Sequence, residues 1–205
     1  MDKPVAESCL RNQDAILEAV RPYINMPERL VLEIGSGTGQ HAVHISSELP
    51  NVVWQPSDLV DLLPGIRAWV DDYSLPNVRQ PLALDVNDGE SALAQQDLYH
   101  VVFTANTIHF VSMETASAVL RTAAIALKRD GILFVYGAFS EAGRYTSDGD
   151  RALDEWLKSR DPLSGLKDTA WLESKALSQS LECEARIKMP ANNLLFVFRK
   201  RNSNV

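Results

Sequence analysis

The chain has 205 residues, of which 45% are hydrophobic and 23% are charged, and its net charge is −7. These values are typical of one globular α/β domain, and the acidic balance argues against a general nucleic-acid binder. Two cysteines, Cys9 and Cys183, are too few for a disulfide framework or a metal cluster. No stretch has the length of a membrane span or the apolar core of a signal peptide. We therefore expect a single cytoplasmic domain over residues 1–205, monomeric or homodimeric, with no metal site and no membrane partner.

The first half of the chain alternates between helical patterns and apolar runs. Helical spacing predicts a helix over 12–20 within an N-terminal helical segment, 1–28. The patterns that follow predict strands over 30–34, 51–57 and 78–84 and helices over 40–49, 62–73 and 90–94. Continuous apolar runs favour parallel strands that are buried on both faces. Because proline cannot donate to a β ladder, we expect Pro56 to end regular pairing of the second strand near Gln55.

The second half continues the alternation and then ends in two strands. A helix is predicted from its cap Ser112 to residue 127, ended by Asp130-Gly131, between strands over 99–105 and 132–138. Helices over 150–159 and 168–179 precede a hairpin of strands over 183–189 and 194–199. This order predicts a Rossmann-like, doubly wound α/β fold with seven strands, mostly parallel, an antiparallel C-terminal hairpin, and helices on both faces. Residues 140–180 would form a helical insertion that covers the site as a substrate lid.

Polar residues follow the predicted parallel strands at one edge of the sheet, where ligands bind in such folds. The first strand leads into the sequence EIGSGTG, in which an acid is followed by three alternate glycines. A P-loop would need Lys after the last glycine, where Gln40 and His41 stand, and a dinucleotide fingerprint would need glycine at position 40. The pattern acid-x-Gly-x-Gly-x-Gly, which is the first motif of class I S-adenosylmethionine-dependent methyltransferases, matches fully.

Further segments carry a closer resemblance. They are Arg11-Asn12, EIGSGTGQHA from Glu33, WQPSD at 54–58, YGAF at 136–139, Arg160-Asp161-Pro162 and MPANN at 189–193. Together they resemble, over nearly the whole chain, a small class I methyltransferase-like family of unknown function that includes methyltransferase-like protein twenty-six. The resemblance implies the class I fold and S-adenosylmethionine as cofactor, with S-adenosylhomocysteine as product, and it names no substrate. Residues 106–110 depart from the family pattern, in which a bulkier, Met-containing stretch follows the asparagine.

The acids that follow three successive strands suit the groups of this cofactor. Asp58 would accept hydrogen bonds from the ribose hydroxyls, and Asp85 from the adenine amino group, while the backbone N–H of Val86 donates to the ring. Glu33 would orient the ammonium group of the amino-acid tail, and Asn12 is either a helix cap or a ligand residue. The complete set predicted to bind the cofactor is Asn12, Glu33, Gly35, Ser36, Gly37, Gly39, Asp58, Leu59, Asp85, Val86 and Asn106.

His109 is the predicted catalytic residue, because an imidazole beyond the fourth strand can deprotonate an acceptor near neutral pH. A structural histidine bonded to a backbone carbonyl is the equal alternative at this stage, and His41 is expected to pack or cap. The residues predicted to contact the substrate are Arg11, Tyr136, Arg160, Asn192 and Asn193, although the two asparagines also suit a turn.

The predicted function is methyl transfer from S-adenosylmethionine to an oxygen, nitrogen or sulfur atom of a small molecule, without nucleic acid as substrate. Two alternatives stay open at this stage. One is a non-catalytic methyltransferase-like protein that binds the cofactor or serves as a scaffold. The other is an NAD-dependent oxidoreductase on a similar sheet, which Gln40 disfavours.

Overall fold

The computed structural model describes residues 3–24, 26 and 28–201. Positions 1–2, 25, 27 and 202–205 lie outside the described residues, so the predicted N-terminal segment 1–28 and the end of the predicted domain are described only in part. The strands are β1 (Arg29–Ile34), β2 (Val52–Asp58), β3 (Leu82–Ala83), β4 (Tyr99–Ala105), β5 (Leu127–Gly137), β6 (Leu181–Lys188) and β7 (Leu194–Lys200). The helices are α1 (Glu7–Ile24), α2 (Gln40–Glu48), α3 (Leu63–Tyr73), α4 (Gly89–Leu93), α5 (Met113–Ala126), α6 (Asp148–Arg160) and α7 (Thr169–Leu177).

Within the described residues the strands form one seven-stranded sheet in the order β3-β2-β1-β4-β5-β7-β6. Strands β1 to β5 pair in parallel, whereas β7 runs antiparallel to both β5 and β6. The chain order reverses between β1 and β4, which opens a crevice at their carboxyl ends. The predicted doubly wound sheet with an antiparallel C-terminal hairpin is confirmed.

Helices cover both faces of the sheet and bury two apolar clusters. On one face, side chains of α1, α2 and α3, among them Ile16, Val43 and Ile66, pack on the odd-numbered side chains of β1 and β4. On the other face, α5 and α7 pack on the alternate side chains, with Leu120 and Leu172 at the centre. Because successive side chains of a strand point to opposite faces, the continuous apolar runs supply both clusters at once.

Pro56 does not end the pairing of β2, and that prediction is wrong. The strand continues to Asp58, and Pro56 lies opposite Glu33 in the register with β1. Backbone groups of Trp54 and Asp58 bond toward the β3 side, so the missing N–H of Pro56 also faces that side by alternation. There the Gln55 side chain donates to the carbonyl of Pro56, which keeps this polar group satisfied without a ladder bond.

Other boundaries also differ from the prediction, among them those of α1, which runs over Glu7–Ile24 instead of 12–20. Two of these differences have a clear structural cause. The third strand is regular only at Leu82–Ala83, because Pro81 has no N–H and the carbonyl of Gln80 bonds the Gln55 side chain instead of a strand. The long helix ends at Ala126, and Asp130-Gly131 lies inside β5 rather than at the helix end. Asp130 has a φ of 58°, and the β4–β5 register shifts between Tyr99 and Val101 to accommodate this kink.

Candidate functional site

The glycine turn between β1 and α2 is held by backbone hydrogen bonds to the end of β2. The N–H groups of Gly35 and Ser36 both donate to the carbonyl of Ser57, at 3.1 and 3.0 Å. The N–H of Gly37 donates to Asp58 Oδ2 at 2.7 Å. Gly35, Gly37 and Gly39 have φ values of 75°, 58° and 89°, which favour glycine at each position. The motif therefore places its backbone directly against the Asp58 carboxylate.

The three glycines serve different purposes. A Cβ on Gly35 would lie 2.6 Å from Thr107 Oγ1, so this glycine lets β1 and the residues after β4 approach closely. A Cβ on Gly39 would lie 3.0 Å from Ile66 Cγ2, so Gly39, which was predicted to bind the cofactor, faces α3. A Cβ on Gly37 would meet no atom within 4 Å, because the space above this residue is open. Gly37 is thus the glycine that leaves room for a ligand.

Glu33, predicted to orient the ammonium group of the ligand either directly or through water, lies beneath the turn and outside the linings of the three cavities described below. Its carboxylate is 1% exposed and accepts hydrogen bonds from Trp54 Nε1 and Ser36 Oγ, both at 3.0 Å. Burial raises the pKa of Glu33 to about 7, and these two hydrogen bonds oppose the rise. The Ser36 hydroxyl also accepts from the N–H of Ser57 at 3.0 Å, so Glu33 supports the turn through Ser36.

Two connected cavities open beside the turn. The larger, which we call the turn compartment, has a volume of about 650 Å³ and lies between the glycine turn, the start of α1 and the residues after β4. The smaller, the side pocket, has about 120 Å³ and is lined by Asp85, Val86 and the apolar side chains around them. Gly35, Asp58, Leu59 and Thr107 line both cavities, so they form one continuous site.

Asp58 stands where the turn compartment meets the side pocket. Its Oδ2 accepts from Gly37 N–H, and its Oδ1 accepts from Leu59 N–H at 2.8 Å. Burial raises the pKa of Asp58, and these two backbone bonds oppose the rise. Each carboxylate oxygen keeps a further lone pair, which suits two neighbouring hydroxyl groups of a ligand. A ribose diol at Asp58, a base in the side pocket and a tail over Gly37 fit the groups present, so the site is compatible with S-adenosylmethionine.

A third cavity, the α6 compartment, has about 510 Å³ and is lined by side chains of α1, α6, the end of β5 and the turn before β7. It shares Ser8, Asn106 and Phe110 with the turn compartment. Four α6 residues at helical spacing, Gly149, Asp150, Leu153 and Trp156, form one of its walls. A ligand in the turn compartment therefore lies next to a second ligand-sized space.

Asn12 lines the α6 compartment and not the turn compartment, where it was predicted to bind. Its Oδ1 lies 2.8 Å from Nε2 of His41, and its side chain is also a hydrogen-bond partner of the Tyr136 hydroxyl. Burial lowers the pKa of His41 to about 4 and raises the pKa of Tyr136. Both groups are therefore neutral near pH 7, and the three residues connect α1, α2 and β5 behind the site.

His109 follows β4 and lines the α6 compartment, as the sequence order suggested. The side chain is 5% exposed, and burial, assisted by the positive charge of Lys167, lowers the pKa of His109 to about 4. The Lys167 ammonium donates to the carbonyls of Val111 at 2.6 Å and Gly165 at 3.0 Å. His109 is consequently neutral near pH 7 and is a weaker base than a free histidine.

The residues predicted to contact a substrate divide into two groups. Arg11, Tyr136 and Asn193 line the α6 compartment. Arg160 lies outside that lining, with its guanidinium carbon 5.0 Å from the ring centroid of Trp156. Asn192 stands behind the wall, where its amide donates to Asp150 Oδ2 and to the Thr146 hydroxyl.

The sequence reasoning missed several residues that line these cavities. Thr107 has no motif of its own and is singled out only by its contact with Gly35. Asp150 is an acid in the first turn of a helix, a position that is ordinarily explained by the helix dipole. Trp156 is 45% exposed, and Phe110 is 49% exposed. An aromatic residue on the polar face of a helix was the available signal for Trp156.

Within the described ranges, no helix has both the length and the apolar character needed to cross a membrane. Across the same residues, no group of three or more His, Cys, Asp or Glu side chains is placed to hold a metal ion. Cys9 and Cys183 are both free thiols.

Solved structures with the same fold span different lengths. An O-methyltransferase family protein from Burkholderia thailandensis superimposes with a TM-score of 0.75 at 16% identity, covering 93% of this chain and 59% of that one. PigF with SAH (S-adenosylhomocysteine) superimposes with a TM-score of 0.71 at 15% identity, covering 84% of this chain and 50% of that one. The YcgJ protein from Bacillus subtilis has a TM-score of 0.72 at 14% identity, covering 95% of this chain and 100% of that one.

The chain thus spans between half and three fifths of the first two structures and the full length of the third. At these identities the likeness concerns the fold, which is that of the class I methyltransferases. The sequence itself matches, over residues 3–200, the family described as "Protein of unknown function (DUF938)". On this match, the chain belongs to the DUF938 family.

Proposed function

We propose that the protein is an S-adenosylmethionine-dependent methyltransferase that acts on a small-molecule acceptor. The observation that carries the proposal is a set of three adjoining cavities: two share Asp58 in their linings, and the third shares Ser8, Asn106 and Phe110 with the turn compartment. A carboxylate anchored by backbone N–H groups stands at the centre, an open glycine backbone lies on one side, and a separate acceptor-sized space adjoins it. The solved structures with this fold, among them one with S-adenosylhomocysteine, support the same assignment.

The residues around the turn would hold the cofactor by complementary hydrogen bonds. Asp58 would accept from the ribose hydroxyls, Asp85 would accept from the adenine amino group, and the N–H of Val86 would donate to the ring. Gly37 leaves space for the amino-acid tail, and Glu33 supports the turn from below through Ser36. When bound, the cofactor supplies a methyl group on a sulfonium, and its transfer to an acceptor lone pair leaves a neutral thioether.

The acceptor would occupy the α6 compartment, next to the cofactor, and Asn106 and Phe110 would contact both ligands, because they line both spaces. Much of the rate of such a displacement can come from holding the two reactants in line. His109, which is neutral near pH 7, would accept a hydrogen bond from the acceptor and orient its lone pair, because a pKa of about 4 suits orientation better than proton abstraction. Residues 140–180 contribute α6 to the wall and would act as the lid.

The proposal includes a small-molecule substrate and a cytoplasmic setting. It includes no nucleic-acid or membrane partner, in line with the net charge of −7.

Isothermal titration calorimetry with S-adenosylmethionine, S-adenosylhomocysteine and NAD tests the cofactor. We expect both sulfur compounds to bind and NAD not to bind, and we expect Asp58→Asn to weaken both. Tight binding of NAD without binding of S-adenosylhomocysteine would favour the oxidoreductase alternative. Transfer of labelled methyl groups into the small-molecule fraction of a cell extract tests catalysis. Cofactor binding without transfer to any fraction would favour the non-catalytic alternative.

A further inference from the structure

Two aspartates on α6 lie one helical turn apart, and both are buried, with exposures of 4% for Asp150 and 2% for Asp154. Asp154 is saturated by its surroundings. Its Oδ2 accepts from Lys158 Nζ at 2.6 Å and from the Tyr145 hydroxyl at 2.7 Å, and its Oδ1 accepts from Leu166 N–H at 2.7 Å. The Lys158 ammonium thus balances the charge of Asp154 within the protein.

Asp150 has a different environment. Its Oδ2 accepts from the Thr146 hydroxyl at 2.7 Å and from the Asn192 amide, both of which are neutral donors. Among the residues that the structure describes, no hydrogen bond reaches Oδ1, and no Lys, Arg or His nitrogen lies within 4.0 Å of the carboxylate. Asp150 lines the α6 compartment. A carboxylate oxygen that is not bonded within the protein can accept from a donor in the cavity, and a positively charged donor makes the stronger hydrogen bond.

The turn that carries Asn192 supports the same interpretation. Ala191 and Asn192 both have positive φ values, 54° and 61°, a conformation that is unfavourable for alanine and tolerated by asparagine. The turn places the Asn192 amide on Asp150 Oδ2, so Oδ1 is the oxygen that this turn leaves unbonded. The MPANN segment thus fixes the orientation of a carboxylate.

Aromatic side chains stand beside this carboxylate. Phe110 and Trp156 line the same cavity and are about half exposed, with ring centroids 6.1 Å apart in a T-shaped arrangement. Large exposed rings around a cavity are covered when a planar ligand binds, and aromatic faces also attract organic cations. The two arginines near this cavity, Arg11 and Arg160, are exposed, so solvent weakens their pull on an anion more than it weakens that of Asp150 on a cation.

We propose that the α6 compartment recognises an acceptor that combines an aromatic ring with a protonated amine, and that Asp150 Oδ1 accepts a hydrogen bond from this ammonium group. This inference rests on the proposed function, because it names the class of acceptor for the same site. The ammonium is a recognition group and not the methylated atom, since a protonated amine has no free lone pair to attack the methyl group. The methylated atom lies elsewhere on the ligand.

Three indole compounds of nearly equal size test the charge preference directly: tryptamine is cationic, tryptophol is neutral and indole-3-acetate is anionic. Binding to the full chain is measured by ligand-observed NMR titration, with and without S-adenosylhomocysteine. We expect tryptamine to bind roughly ten- to a hundredfold more tightly than tryptophol, the effect of a charge-assisted hydrogen bond. Indole-3-acetate should bind more weakly than either. This comparison needs no variant and is therefore independent of any effect on folding.

Single-residue variants test which side chain causes the preference for tryptamine over tryptophol. Asp150→Asn should abolish the advantage of tryptamine over tryptophol, whereas the matched change Asp154→Asn should keep it. Trp156→Leu should weaken both compounds by a similar factor, because it removes the aromatic wall and leaves the carboxylate.

Equal binding of tryptamine and tryptophol to the wild-type protein, or tighter binding of indole-3-acetate, would overturn the inference. The inference would also be overturned if the Asp150→Asn variant, shown by urea titration to be folded, still bound tryptamine more tightly than tryptophol. Binding of S-adenosylhomocysteine is measured separately for each protein. If S-adenosylhomocysteine binds but tryptamine binds no more tightly than tryptophol, this inference alone is refuted. If tryptamine is preferred but S-adenosylhomocysteine does not bind, the proposed function alone is refuted.

Discussion

Replacing Glu33 with Gln is expected to stabilise the protein in a way that depends on pH. Burial raises the pKa of Glu33 from its ordinary value of 4.5 to about 7, so the folded state binds this proton more tightly than the unfolded state does. The contribution of Glu33 to the free energy of unfolding is therefore lost as pH rises from 4.5 to 7. Glutamine has the same shape and no proton to lose, and its single oxygen can still accept from Trp54 Nε1 and Ser36 Oγ.

The magnitude follows from the two pKa values. The cost of ionising Glu33 on the folded side is about 1 kcal/mol near pH 5 and about 3 kcal/mol near pH 8. The advantage of Glu33→Gln over the wild type should therefore grow by roughly 2 kcal/mol between these conditions. All other titrating groups are shared by the two proteins, so the difference between them isolates this one carboxyl group.

Urea unfolding of both proteins across this pH range measures the effect. Glu155→Gln removes an exposed glutamate from α6 and controls for the loss of one carboxylate. A difference between wild type and Glu33→Gln that stays constant with pH would refute the argument, because it would mean that Glu33 titrates alike in the folded and unfolded states. A variant less stable at every pH would instead mean that the second carboxylate oxygen makes an essential contact.

Four further predictions concern the site. Gly37→Ala should weaken binding of S-adenosylhomocysteine at least roughly tenfold by calorimetry and cost only about 1 kcal/mol of stability, since its Cβ enters the ligand space; intact binding would contradict this. Asp58→Ala should weaken the same binding by roughly 1–3 kcal/mol, and unchanged affinity would remove it from the ribose position. His109→Ala should slow methyl transfer without altering S-adenosylhomocysteine affinity; the reverse pattern would move His109 to the cofactor pocket. Because burial lowers the pKa values of His41 and His109 to about 4, the contribution of these two histidines to stability is lost as pH falls from 6.5 to 4, opposite in sign to that of Glu33; in urea titrations His41→Asn should lose less stability than the wild type over this range.

The alternation of apolar runs and helical patterns was sufficient to predict the sheet and its antiparallel end. The strand predictions failed at positions where the result depends on which neighbouring strand a backbone group faces. Proline disrupts a strand only where its N–H would have to donate to the neighbouring strand. The side of Pro56 that lacks the N–H faces away from β1, and there the Gln55 side chain donates to the Pro56 carbonyl. Which side that is depends on the strand order, and the local sequence does not contain it.

The candidate site was predictable in its motif and less so in its contacts. The sequence EIGSGTG predicted the turn, but only the packing of α3 shows that Gly39 allows close approach to Ile66. An acid at a helix start looks the same in sequence whether or not a cation balances it. Lys158, four residues after Asp154, is a partner that the sequence shows, but the Asn192 amide that bonds Asp150 comes from the turn before β7. Such long-range contacts are set by tertiary structure and leave no local periodicity.

The wall shared by the turn and α6 compartments has a consequence for the thermodynamics of the two ligands. Ser8, Asn106 and Phe110 line both compartments. A ligand that orders these side chains in one compartment therefore also orders them for a ligand in the other. A free energy of coupling then exists between the two ligands, and it acts with equal size in both directions. A cofactor that tightens the hold on the acceptor is itself held more tightly by the acceptor, so bound substrate would slow the escape of an unreacted cofactor.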